Sequence, residues 1–343
     1  MKKPCCLLLV ATVSLVPSAI LGAQDNPKPE SATAAVLRAF ETHNIVMIAE
    51  IHSNKQEYDW FNSLVATPEF ADRVDDIVLE MGNSLYQKSV DQYVGGEDVP
   101  LEEVQKAWRN TVGLIGPQSP VVARFYEVVR ETNMKRRGKH QMRILCGDPS
   151  IDWDKVTDER DVIRYASHRD DSYVQVVKEE VLTRNHRSLL IMGAMHFLRN
   201  SPMRPEPSIE SRLRRAGAKT YLIMSGTNTP AAYGELDHRF DSWPAPVIAP
   251  ARGWIGKLPA RSLIEGGSQF PKPDLKHGAD ALLYLGPRDR LILVSMTRAQ
   301  LAGTPYGEEI VRRLKILMIL PLDAVFADAL FPEKEEHPQF PAW

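Results

Sequence analysis

Four apolar runs along this chain each stop at an ionisable residue. Residues 45–49 lead to Glu50 and His52, 77–79 to Glu80, 143–147 to Asp148, and 188–195 to His196. Runs of this length, rich in Ile, Val, Leu and Met without polar alternation, suit strands covered on both faces. Strands are predicted over 45–49, 77–79, 142–146, 188–192 and 219–224. Between them, apolar residues recur at helical spacing over 57–66, 85–93, 101–108, 121–134, 160–183 and 209–216. Strand, helix, strand alternation implies an α/β fold of three layers, a mainly parallel central sheet with helices on both faces. In such a sheet the carboxyl ends of the strands share one edge, so the four ionisable run-ends converge on one crevice.

Two stretches break the rhythm. Residues 227–273 are crowded with Pro and Gly and hold Trp243 and Trp254, which predicts an irregular insertion, either a lid over the crevice or a plain surface excursion. After it, 281–285 and 291–295 read as a late strand pair and 306–318 as a helix, while 331–343, with three Pro, reads as frayed. The chain divides into a leader 1–23, a single α/β domain 24–325 containing the 227–273 insertion, and a tail 326–343.

The leader follows from its own pattern. Lys2 and Lys3 precede an almost wholly apolar stretch over 5–20, and Leu21-Gly22-Ala23 offers a small-residue cleavage site before Gln24. The stretch is short for a membrane span, and Cys5 and Cys6 lie at its start, where an acylation site is not expected. The expectation is a cleaved secretory signal and a periplasmic or secreted protein with no stable membrane insertion. The leader holds two Lys and no acid, so its loss takes the formal charge of the 343-residue chain from -2 to -4. That balance gives no electrostatic case for nucleic acid. Of three cysteines only Cys146 is left, inside an apolar run, where an inert buried thiol is the ordinary outcome.

The run-ends carry the chemistry. Glu50 and His52 lie two positions apart as a strand ends, so both leave the same face, and a carboxylate beside an imidazole orients the ring and fixes its tautomer. The same pair is also found as a surface ion pair or a helix cap. Glu57 follows about one turn later. Glu80 directly follows an apolar triplet and, buried there, needs a partner or a wet cleft. Asp148, in Gly147-Asp148-Pro149, serves equally as a site residue or as a turn and helix-cap residue. His196 closes Gly193-Ala194-Met195-His196, whose small residues allow a sharp turn and close approach. The remaining histidines, His43, His140, His168, His186, His238, His277 and His337, sit in polar contexts and receive no role.

These residues resemble a superfamily. Ile48-Ala49-Glu50-Ile51-His52, Val78-Leu79-Glu80-Met81, the 86–108 segment with Tyr93-Val94-Gly95-Gly96, and Gly193-Ala194-Met195-His196 look like the group joining ChaN-like haem-binding uptake proteins, erythromycin esterases and TraB/Tiki-type proteins. The resemblance covers about 35–225. It implies a three-layer α/β domain whose site is lined by the matching residues Glu50, His52, Glu80 and His196. Ala49 departs from the Gly common at the start of the first element, and the C-terminal third lies outside the match.

Branches of such a superfamily differ in function, so the site must decide. As a hydrolase of an ester or peptide bond, the chain would use His52 as general base, Glu50 to orient it, and His196 at the leaving group or oxyanion. With a divalent metal, Glu50, His52, Glu80 and His196 would be the ligands. As a haem binder it would need an axial donor, for which Tyr58, Tyr86 and Tyr93 are candidates. A third reading is an exported, non-catalytic interaction protein whose strand-end acids cap helices. Signatures of serine esterases, P-loop ATPases, H-E-x-x-H metalloproteases and Rossmann dehydrogenases are absent from the sequence. The expected ligand is a small molecule or a peptide.

Overall fold

The computed structural model describes residues 27–113, 119–197, 199, 207–226, 237–240, 242–258, 274–320 and 331–338. The predicted leader and much of 227–273 lie outside these residues. The strands are β1 (Glu30–Ser31), β2 (Ile45–Glu50), β3 (Asp76–Asn83), β4 (Arg143–Asp148), β5 (Ser188–Gly193), β6 (Thr220–Ser225), β7 (Val247–Pro250), β8 (Ala281–Tyr284), β9 (Ile292–Val294) and β10 (Glu336–Pro338).

Eight of them form one sheet in the order β1-β7-β8-β6-β2-β5-β3-β4. The run from β8 to β4 is parallel throughout, and β7 and β1 add antiparallel neighbours at the far side. The parallel strands are long apolar runs because both faces are covered. Along β2, Ile45, Met47 and Ala49 pack into one apolar cluster with Tyr173, Val177 and Leu213, while Val46 and Ile48 pack into the other with Phe61, Phe125 and Tyr126. Helices Lys55–Val65 and Pro120–Lys135 thus cover one face, and Arg169–Val176 and Ile209–Arg215 the other. This is the expected three-layer, mainly parallel α/β fold.

The register brings the run-ends level. Glu50 is opposite Gly193 across β2 and β5, Ala49 is opposite Met224 of β6, and Leu79 of β3 is opposite both Ile191 of β5 and Cys146 of β4. In the sheet β5 lies between β2 and β3 although it follows both in the chain; β2 connects onward to β3 on one side and β5 connects back past β2 to β6 on the other, the kind of reversal where α/β sheets bind ligands.

Several local expectations change. The segments 281–285 and 291–295 do not pair with each other: β8 joins the main sheet beside β6, and β9 pairs with β10 in a separate ribbon. Part of the tail thus forms a strand where a frayed end was expected, because Glu336 to Pro338 supply the partner that an isolated β9 lacks. Within the supposedly irregular insertion, Val247–Pro250 forms β7, and Trp243 and Trp254 pack with Phe240 and Tyr284. The single helix expected over 160–183 breaks at Ser167-His168 into Glu159–Ala166 and Arg169–Val176, the latter running on through Val177–Leu182 with wider turns. Asp170 and Asp171 in the first turn favour the new start. Among the described residues no helix is long and apolar enough to cross a membrane.

Candidate acid-base site

The chain turns sharply after β2. Ser53 takes φ 64°, a left-handed conformation uncommon for a residue with a side chain, and Asn54 then caps helix Lys55–Val65 by accepting from the Glu57 N–H at 2.9 Å. This turn lays His52 across the sheet edge. Its Nδ1–H donates to Glu50 Oε1 at 3.0 Å, and its Nε2 lies 3.7 Å from Glu80 Oε1. The ring is 29% exposed, whereas Glu50, Glu80 and His196 are buried.

Glu80 is the centre of the cluster. Its Oε1 receives His196 Nε2 at 3.2 Å and Arg169 Nη2 at 3.1 Å, and its Oε2 receives the Gly193 N–H at 2.6 Å. His196 is fixed on its other side by Asp170, 2.6 Å from Nδ1, with the Tyr173 ring edge-on at 5.1 Å between centroids. Gly193 is required by space: a Cβ there would stand 2.9 Å from His52 Nε2 and 3.2 Å from Glu80 Oε2.

Two further acids sit behind this core. Asp148 accepts from Arg169 Nε at 2.7 Å, from the Tyr173 hydroxyl at 2.8 Å and from the Val112 N–H at 2.5 Å, tying the end of β4 to helix Arg169–Val176 and to the loop at Val112. It buttresses the site through Arg169. Glu57 accepts from the Ser225 hydroxyl at 2.5 Å and from the Ile51 N–H at 2.8 Å, stitching β6 to the turn that carries His52.

The electrostatics follow from this crowding. Burial would lower the His52 pKa, but the charges of Glu80 and Glu50 and the hydrogen bond to Glu50 outweigh it and push it up to about 9. His196 moves the same way: burial opposes, and Glu80 and Asp170 prevail. Glu80 is held well below the usual carboxylate range, because His196, His52 and Arg169 overcome the opposite pull of burial. Glu57 is pushed up to about 8, by burial first and by the charge of Glu50 second. Burial also raises the Cys146 thiol, as expected of an inert residue.

The sequence reading placed Glu50, His52, Glu80 and His196 together, with Glu57 and Asp148 beside them, and all six do meet at this edge. It overlooked Arg169, Asp170 and Tyr173, which reach the cluster from a helix and not from a strand end, and Ser225, which closes a fifth run. The proposed metal ligand set does not fit. Among the described residues no three His, Cys, Asp or Glu side chains are arranged to hold a metal ion. The surroundings explain this: Arg169 brings a fixed cation to the Glu80 carboxylate, both His196 nitrogens are engaged within the protein, and Nδ1 of His52 is taken by Glu50.

The three tyrosines considered for haem do not form one donor set. Tyr58 is buried beside Glu50. The Tyr86 hydroxyl accepts from Asn110 at 3.0 Å, and the Tyr93 ring lies under the Arg130 guanidinium at 4.7 Å.

No protein-family model matches this chain, and no curated protein matches it. Among solved structures it is similar to a Bacillus cereus protein at 12% identity and a TM-score of 0.52, over 75% of this chain and 94% of that one, a likeness of fold. Weaker similarities run to ChaN of Campylobacter jejuni, described for cofacial haem binding, at 10% identity, 60% and 93% coverage and a TM-score of 0.34. Another runs to the C-terminal region of Pasteurella multocida toxin, described as having a thiol-protease-like catalytic triad, at 11% identity, 58% and 25% coverage and a TM-score of 0.40.

Proposed function

We propose that this chain is an exported hydrolase of an ester or peptide bond, with His52 and Glu80 as its proton-transfer groups, Glu50 orienting His52 and His196 as a supporting cation. The observation that carries the reading is His52. One of its nitrogens is anchored on a buried carboxylate at 3.0 Å, the other lies 3.7 Å from an ionised second carboxylate, and the ring is partly open to solvent. The role expected for His52 changes with its pKa. A group titrating at about 9 carries its proton at neutral pH, so it serves as the general acid and not as the base.

The proton balance closes within the site. Water adds to the acyl carbon and gives a proton to Glu80. The bond to the leaving oxygen or nitrogen breaks, and that atom takes the proton of His52. The proton on Glu80 then passes to Nε2 of His52, restoring both groups. Losing the His52 charge in mid-reaction removes one of the cations that depress Glu80, which raises its basicity when it must hold a proton. Export to the periplasm or outside the cell rests on the leader pattern over 1–23.

The test is to assay the purified chain on a panel of acyl esters and short peptides, beside His52→Ala and Glu50→Gln, and to titrate haemin separately. The hydrolase reading expects turnover that falls by about 10²-fold or more in His52→Ala, the range for a positioned acid or base. A stoichiometric Soret complex with no turnover on any substrate would replace it with the haem-binding reading.

A further inference from the structure

Two imidazoles address one carboxylate here, and they are not equivalent. His52 is partly open and stops 3.7 Å short of Glu80, whereas His196 is buried and hydrogen-bonded to it at 3.2 Å. Consecutive residues at the start of helix Arg169–Val176 create the difference: Asp170 takes Nδ1 of His196 at 2.6 Å, and Arg169 places its fork on Glu80 at 3.1 Å and on Asp148 at 2.7 Å.

We infer that Asp170 and Arg169 are positioning residues, Asp170 holding His196 as a permanent donor and Arg169 holding the Glu80 carboxylate that receives it, so that the proton collected by Glu80 returns to His52 and not to the second ring. This rests on the hydrolytic reading for its consequence, though not for its geometry. The groups facing His196 are Glu80 and, beyond it, His52 from the sheet edge, and Arg169, Asp170 and Tyr173 from the helix, with Asp148 behind Arg169. Among the described residues, Asp170 and Glu80 are the ones that bond directly to the ring nitrogens. With Asp170 charged, a neutral His196 is disfavoured. Its Nε2–H then stays on Oε1 of Glu80 and cannot accept the proton that the catalytic cycle must return.

Asp170→Asn keeps the size and removes the charge, and Arg169→Lys keeps the charge and removes the fork. The inference is read in two ways on the full chain. With ¹⁵N-labelled histidine, the His196 ring should titrate about one pH unit or more lower in Asp170→Asn than in the parent protein, the size expected for loss of an adjacent opposite charge. On whichever panel substrate is turned over, kcat should fall about 10- to 100-fold with KM nearly unchanged, and Asp170→Glu should recover part of the loss. Arg169→Lys should lower kcat in the same way while leaving the His196 titration closer to that of the parent.

A folded Asp170→Asn protein whose His196 titrates as in the parent would overturn the inference, as would a rise in KM with kcat unchanged. A parent chain that hydrolyses nothing, yet whose His196 shifts in Asp170→Asn, upholds the positioning and removes the hydrolytic reading alone.

Discussion

At the scale of single residues, the site depends on how closely side chains approach backbone. In Gly193→Ala the new methyl would press hardest on the partly open His52 ring, which can swing away, and not on a fixed main chain. The fold should therefore survive with a melting temperature within a few degrees of the parent, while turnover falls about 10²-fold as His52 loses its alignment. Glu57 supports a second residue-scale prediction. Its folded pKa of about 8 lies above the ordinary carboxyl value of 4.5, so the folded state holds a proton that the unfolded chain releases between those values. Its contribution to stability is full below about 4.5 and is lost as pH rises towards 8. Glu57→Gln mimics the protonated form, so its stability relative to the parent should improve steadily between pH 5 and 8 in urea denaturation. A constant difference across that window would remove the buried, protonated Glu57.

At the scale of elements, the strand ends act as one unit because buried acids tie neighbouring elements together. Asp148→Ala strands Arg169, the Tyr173 hydroxyl and the Val112 N–H in a buried place at once. The cost should be about 3 kcal/mol or more in chemical denaturation, the range for removing one partner of a buried ion pair. A loss below about 1 kcal/mol, the level of a surface pair, would mean that Asp148 only caps a turn. The strands and their ends were legible in the sequence because strands buried on both faces leave unbroken apolar runs, and a Glu or Asp closing such a run stands out. Arg169 and Asp170 were not legible. In His168-Arg169-Asp170-Asp171 a run of charges opens a helix, a pattern that ordinarily faces water, and only the break at Ser167-His168 turns this one towards the sheet. The strand at 247–250 was hidden for a related reason: four residues beside a Pro-rich segment become a strand through pairing with β8 on one side and β1 on the other.

At the scale of the whole molecule, the C-terminal segment lies outside the stretch that resembled known families, yet it braces the site. Val294 N–H donates to the Ser53 carbonyl at 2.9 Å, Leu293 bridges to Asn54, and the Gln56 side chain holds both the Arg290 carbonyl at 2.6 Å and the Ile292 N–H at 3.0 Å. On another side, buried Arg313 of helix Pro305–Ile316 stacks on Trp153 and bonds to the Arg109 carbonyl and to Asn110, next to the loop that reaches Asp148. The turn carrying His52 is therefore held from outside the sheet as well as within it. In the proposed hydrolysis His52 acts with its proton on, and the pH dependence of kcat/KM for a hydrolysed acyl ester, measured on the parent chain and on His52→Gln, tests that most directly. The prediction is a rate that is level near neutrality, declines through pH 9 as His52 deprotonates, and is lost in His52→Gln without a change in melting temperature. A rate that instead climbs through pH 9, or a His52→Gln protein that turns over as fast as the parent, would contradict it.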